Sequence, residues 1–134
     1  MAYLIDTDII IYSLKGDPRV HSWMGKNQNI PKSISAITFG ELLYGARKSK
    51  YPEKNIATTN RIAELFPIIE VNKGIIEVFG MIKAKLEQEG TRIADMDLLI
   101  AATAIYMDLT LVTNNKSHFS RISDLAIENW QEET

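Results

Sequence analysis

The sequence predicts an α/β fold: a central, mostly parallel sheet of four or five strands with helices on both faces. Three observations predict it. Short apolar runs alternate with segments of helical spacing along all 134 residues, and that alternation builds parallel sheets layered between helices. The segment from Ala94 to Met107 is apolar on nearly every side, so its helix must be largely buried. Several acids stand where strands end or helices begin, at the sheet edge where open α/β folds hold ligands.

Tyr3-Leu4-Ile5 reads as a buried strand that meets Asp6 and passes into a helix reaching about Leu14, with Thr7 as its cap, before Lys15-Gly16-Asp17-Pro18 stops it. Pro18 suits the first turn of a second short helix holding Val20, Trp23 and Met24. After a loop over 25–32, Ile34-Ser35-Ala36-Ile37 is the second strand, and Thr38 starts a helix with Phe39, Leu42, Leu43 and Ala46 on one face. A further helix spans Glu53 to Leu65, and Ile68-Ile69-Glu70-Val71 is the third strand. Ile75, Val78, Phe79, Ile82 and Leu86 fall at helical spacing until Gly90 ends the run. Asp95 is the expected cap of the apolar helix, Leu109 to Thr113 the fourth strand, Ser117 to Ser120 a helical turn, and Leu125 to Glu128 a last edge strand.

With 46% hydrophobic and 24% charged residues, the chain suits one core, so 1–134 is read as a single domain with a short tail at 131–134. No cysteine is present, which excludes disulfides, thiolate metal sites and a cysteine nucleophile. No apolar run approaches the roughly 18 residues of a membrane span, and a soluble, cytoplasmic protein without a membrane partner is the expectation. The net charge of −2 is unevenly spread: residues 11–50 carry seven basic and two acidic side chains, 7 − 2 = +5, leaving −7 for the rest. Either a basic rim surrounds an acidic centre, as a polyanion partner requires, or the surface is simply solvated.

The acids carry the chemistry. Asp6 ends a buried strand, and Asp97 lies among Met96, Leu98 and Leu99, where an unpaired carboxylate is costly. Glu41 has two open readings, because Thr38-Phe39-Gly40-Glu41 also matches a capping box. Asp8 reads as a first-turn acid beside Thr7, and Asp95 as a cap. In a parallel sheet Asp6, Glu41 and Asp97 share one edge with Thr113 and Asn115. Such carboxylates suit Mg²⁺ or Mn²⁺, and a cation of that kind activates water and steadies charge at a phosphodiester.

The chain resembles the PIN-domain proteins and, among them, the VapC toxins of bacterial toxin–antitoxin pairs. The resemblance rests on Leu4-Ile5-Asp6-Thr7-Asp8-Ile9, on Ile37 to Ala46 around Glu41, on Asp97-Leu98-Leu99-Ile100-Ala101-Ala102, on Leu111-Val112-Thr113-Asn114-Asn115 with Phe119-Ser120-Arg121-Ile122, and on Glu128-Asn129-Trp130. It implies a PIN-like three-layer α/β/α fold and an endoribonuclease that cuts RNA with metal-activated water. Asp6, Glu41 and Asp97 would be its catalytic, metal-ligating acids, with Mg²⁺ as the ion and Mn²⁺ able to substitute. It implies a homodimer, and a cognate VapB-type antitoxin whose C-terminal segment crosses the groove and places a basic side chain among the acids. Some relatives cut the initiator tRNA in its anticodon loop, which makes that RNA the first expectation. Two positions depart from the family pattern: Asn115 stands where a fourth acid is common, and Asp8 where asparagine is usual. Asn115, Thr113, Thr7 and Asp8 are accordingly supporting candidates.

Two rivals remain. Leu4-Ile5-Asp6-Thr7-Asp8 also resembles the Asp-x-Asp motif of haloacid-dehalogenase-type phosphatases, in which Asp6 would be the nucleophile, but little chain follows Asn115 to supply that family's lysine and second acidic pair. The other is a catalytically silent RNA- or antitoxin-binding module. His21 and His118 are read as surface residues, His118 close enough to the site to touch RNA.

Overall fold

The computed structural model describes residues 2–132; Met1, Glu133 and Thr134, and so the last two positions of the expected tail, lie outside the described residues. Among the described residues, five strands form one sheet: β1 (Tyr3–Ile5), β2 (Lys32–Ser35), β3 (Ile68–Ile69), β4 (Thr110–Val112) and β5 (Ile127–Glu128). Their order is β3-β2-β1-β4-β5, and every pairing is parallel. Seven helices connect them: α1 (Thr7–Leu14), α2 (Pro18–Lys26), α3 (Ala36–Arg47), α4 (Pro52–Leu65), α5 (Lys73–Gln88), α6 (Asp95–Tyr106) and α7 (Lys116–Phe119).

The strand sequences explain the layering. Successive side chains point to opposite faces, so Leu4 and its register partner Leu111 enter one core while Tyr3, Ile5 and Val112 enter the other. The first core is roofed by α5 and α6 through Ile75, Ile82, Leu86, Leu98 and Ile100; the second by α1 to α4 through Ile9, Ile10, Val20, Leu42 and Ile62. With both faces covered, β1 is apolar throughout, as parallel strands are. In α6, Ile100, Ala101, Ala102 and Ala104 are all sealed from solvent, as the apolar run predicts.

The C-terminal segment is tied down. Trp130 is fully buried, stacks on Trp23 of α2 at 6.2 Å and meets Tyr3 edge-on at 5.0 Å. The Trp23 indole donates to the carbonyl of Glu132, and the Gln131 side chain donates to Asp17.

Three local expectations are corrected. β2 ends at Ser35, whose hydroxyl accepts from the Ile37 N–H and caps α3, so Thr38 lies inside that helix and no capping box joins it to Glu41. Ser35-Ala36-Ile37 continues the apolar pattern of the strand, which conceals the cap. Asp6, and not Thr7, caps α1 by accepting from the Thr7 N–H. Asp95 is the first residue of α6 and pairs with Lys83; Ala94 precedes it with no side-chain cap.

Helices α5 and α6 end alike. The N–H groups of Gly90 and Thr91 return to the carbonyls of Glu87 and Leu86, and those of Asp108 and Leu109 to Ile105 and Ala104. This closure places one residue in the left-handed region: Gly90 at φ 75° and Asp108 at φ 55°. An L side chain there costs about 1 kcal/mol. Urea unfolding should therefore show Gly90→Ala losing about 1 kcal/mol and Asp108→Gly gaining on the order of 0.5 kcal/mol; a destabilised Asp108→Gly protein would contradict this account.

Candidate metal centre

The strand order creates the site. From β1 the chain runs outward to β2 and β3, then crosses back over α5 and α6 to place β4 on the other side of β1. That reversal makes β1 and β4 the switch point, and a crevice opens beyond their carboxyl ends. Asp6 follows β1 and Thr113 follows β4, held level by the Asp6 N–H donating to the Val112 carbonyl at 2.9 Å.

Asp6 is only 6% exposed. Its Oδ1 accepts from the Thr7 N–H and its Oδ2 from the Thr113 hydroxyl, each at 2.8 Å. Thr7 then extends the site across the sheet, its hydroxyl donating to Glu41 Oε1 at 2.6 Å and lying 3.1 Å from the Thr38 hydroxyl. A mid-helix residue of α3 is thus bound to Thr7, the first residue of α1 and the neighbour of Asp6.

Asp8, in the first turn of α1, reaches the end of β4. Its Oδ2 accepts from the Asn114 N–H at 3.0 Å and lies 3.5 Å from the Thr113 hydroxyl, while its Oδ1 is buried with no hydrogen-bond partner among the described residues. Asp97 enters from the first turn of α6, and its Oδ2 lies 3.3 Å from His118 Nε2. Two further residues extend the Asp8 contact. The Asn114 side chain accepts from Asn129 and lies within donating distance of the Tyr12 hydroxyl, so the β4–α7 turn is braced from two sides. Neither brace shows in the sequence, because one depends on α1 and the other on β5 lying beside the end of β4.

The electrostatics follow from this crowding. Burial pushes the Asp6 carboxyl up to about 7, the Asp8 charge adds to that, the bonds from Thr113 and Thr7 oppose it, and Asp97 adds a little more. Burial also raises Asp8, against the N–H groups of Asn114 and Ile9 and the Thr113 hydroxyl, with Asp97 again contributing upward.

The structure thus brings Asp6, Asp8, Thr7, Thr113 and Glu41 together directly, and Asp97 through its charge. Asn115 joins through its backbone: its N–H donates to the Thr113 hydroxyl, while its side chain is exposed and makes no cap bond to α7. His118 is not a surface residue, because α7 carries its ring inward against Asp97 with 27% of the side chain exposed; His21 is exposed and contacts the Ser13 carbonyl. The basic rim is only partly at the site. Lys15 shares a groove with Glu41, but Lys32 binds the Asn27 and Ile30 carbonyls at the opposite sheet edge, and Arg19 pairs with Asp17.

Among the described residues, no group of three or more His, Asp or Glu side chains stands close enough together to hold a metal ion directly. The donor set nonetheless fits a hard divalent cation. A buried carboxylate raised by its neighbours, and an adjacent carboxylate oxygen without a partner, are both relieved by positive charge, and Mg²⁺-type ions keep several waters, through which carboxylates can act without direct contact. Asp6, Asp8, Glu41 and Asp97 are the residues that could hold it.

Because the Asp6 carboxyl rises from 3.8 to about 7 in the folded protein, its ionisation opposes folding. The penalty is absent below about pH 4 and complete above about pH 7, with an upper bound of about 4 kcal/mol. In chelator at pH 8, Asp6→Asn should melt above the unaltered protein, and the gap should close by pH 4. Equal melting points at pH 8 would show that Asp6 carries no such strain.

Comparison with known proteins agrees with this geometry. The PIN domain family model matches residues 3–125. The chain is 40% identical to Ribonuclease VapC2 of Haemophilus influenzae, over 97% of this chain and 98% of that protein. It is 32% identical to the tRNA(fMet)-specific endonuclease VapC of Shigella flexneri, with the same coverage. Its fold superposes with a TM-score of 0.91 on a chain of VapBC2 from Rickettsia felis bound to a promoter DNA fragment, at 36% identity over 97% of this chain and 99% of that one. A buried acid at a sheet switch point, with acids of α1 and α6 acting on it and one of α3 joined through Thr7, therefore belongs to a known family: this chain is a member of the PIN-domain family and, within it, of the VapC ribonucleases.

Proposed function

We propose that this protein is a Mg²⁺-dependent endoribonuclease toxin that hydrolyses a phosphodiester of a structured RNA, the initiator tRNA first among candidates. PIN-domain ribonucleases as a class depend on a divalent metal. The observation that carries the reading is Asp6, a nearly sealed carboxylate at the switch point with Asp8, Asp97 and the Thr7-bound Glu41 around it. A bound divalent ion supplies an activated water and charge stabilisation at phosphorus. The protein's part is orientation. Thr113 and the Thr7 N–H fix both Asp6 oxygens, the Thr7 hydroxyl fixes Glu41, and Asn114 fixes Asp8.

Asp6 as a phosphatase nucleophile finds no support, since among the described residues no lysine pairs with Asp6 or Asp8. The decayed-module reading conflicts with the full set of oriented acids. Among the described residues no helix is long and apolar enough to cross a membrane, and the reading places the enzyme in the cytoplasm with its RNA. Mg²⁺ or Mn²⁺ should support cutting of initiator tRNA, chelation should stop it, and Asp6→Asn, Glu41→Gln and Asp97→Asn should each lower the rate at least about 100-fold with unchanged circular dichroism. Cutting that persists in chelator, or in the Asp6→Asn protein, rules the mechanism out.

VapBC relatives are solved as complexes with their partner chain, and the reading includes a cognate antitoxin and a homodimer. A groove of about 370 Å³ leads away from Glu41 between α1, α3 and α4, lined by Ile11, Leu14, Leu42 and Ala46, with Leu14 50% exposed. It suits an apolar antitoxin segment that ends in a basic side chain at Glu41. Leu14→Asp should weaken antitoxin binding at least about tenfold, or about 1.4 kcal/mol, while leaving cleavage intact. Unchanged affinity by calorimetry would move the antitoxin elsewhere.

A further inference from the structure

One polar group at the site is used by nothing described so far. His118 Nε2 is closed to solvent and makes no hydrogen bond among the described residues, although it stands 3.3 Å from Asp97 Oδ2. The two atoms are therefore in contact without the alignment of a donor and its acceptor. The ring is held there from below. Phe119 is 1% exposed in the core and meets the imidazole edge-on at 5.6 Å, and the His118 N–H donates to the Asn115 carbonyl, so α7 carries the side chain as an anchored arm.

A nitrogen and an oxygen 3.3 Å apart that do not meet hydrogen-bond geometry are also spaced as two ligands of one cation are. With metal–ligand bonds of about 2.0 to 2.1 Å, neighbouring ligand atoms lie about 2.9 Å apart in an octahedron and about 3.3 Å apart in a tetrahedron. The observed separation lies at the tetrahedral end of that interval.

We propose that His118 is a ligand of the metal site beside Asp97, making the donor set carboxylates plus one imidazole and turning the site's preference from Mg²⁺ toward Co²⁺, Ni²⁺ or Zn²⁺. This rests on the reading above that the acids hold a divalent cation, and it adds what kind of cation they hold best. Carboxylates and water suit Mg²⁺, whereas a neutral imidazole, protonated at Nδ1 and open at Nε2, strongly favours the later first-row ions. The chain has no thiolate to compete for them, and His21 is held at the Ser13 carbonyl on another helix.

Two measurements on the full chain, stripped of metal, test the proposal. In a nitrogen-15 spectrum of the imidazoles, one equivalent of Zn²⁺ should displace the His118 Nε2 resonance while that of His21 stays in place, and Mg²⁺ should move neither. By calorimetry, His118→Gln and His118→Ala should both lose at least about tenfold in Co²⁺ affinity while Mg²⁺ affinity stays within about twofold. Asp6→Asn should weaken both ions, which marks the binding as that of this site.

Glutamine separates two roles. Its amide donates much as a protonated ring nitrogen does but is a poor ligand, so a Gln variant that keeps Co²⁺ affinity while Ala loses it would show that His118 only orients Asp97, and would overturn the proposal. An unmoved His118 resonance in wild-type protein that does bind Zn²⁺ overturns it as well and leaves the nuclease reading untouched. Protein that binds neither ion and still cuts RNA overturns both. The resonance is read on the unaltered chain, so a variant that folds poorly does not decide the matter.

Discussion

Placing the Asp6 carboxylate beneath the surface, at the end of a strand whose other residues are all apolar, is the constraint on which the rest of the site depends. A buried charge needs donors or a counter-ion, and the chain provides two donors from opposite ends of its sequence. The Thr7 N–H comes from the next residue and the Thr113 hydroxyl from beyond β4. Thr113 is itself sealed, so its hydroxyl has few other places to go. The interaction therefore fixes the register between β1 and β4 as well as the orientation of the acid. Each acid that joins Asp6 raises the electrostatic cost further, which is how a functional site differs from a core: the fold holds like charges together for a purpose other than stability.

Much of the fold is visible in the sequence, because the pattern of apolar residues is governed by the same burial that shapes the sheet. The buried character of α6 follows from Leu98 to Ala104, and the end of α5 follows from Gly90. The errors fall where a local rule has two valid readings. Thr38 to Glu41 satisfies the spacing of a capping box, but Ser35 caps the helix one turn earlier, and Glu41 is left free to reach Thr7. Asp6 acts as strand terminus, helix cap and site residue together, where the sequence reading assigned the cap to Thr7.

The site was legible to a different degree. Which acids share an edge follows from strand–helix alternation alone, and Asp6, Glu41 and Asp97 are found on it. Which of their neighbours matter does not follow, because that depends on strand order. Asn114, Asn129 and the inward turn of His118 arise from β4 lying between β1 and β5, and no periodicity encodes that order. Asn115 shows the converse: a position marked out by family pattern holds an exposed side chain here. The charge asymmetry was also a partial guide, since sequence proximity among the basic residues of 11–50 does not survive folding into opposite sheet edges.

The bond between Thr113 and Asp6 joins residues 107 positions apart. A contact of such sequence separation forms only after a large loop has closed, and closing that loop costs chain entropy. The consequence concerns timing during synthesis. While the ribosome is still making the first hundred residues, Asp6 has no β4 beside it and Asp8 has no Asn114 to hold it, so a nascent chain carries its acids without a working arrangement of them. A ribonuclease built this way can order its buried acid fully only once nearly the whole chain is present.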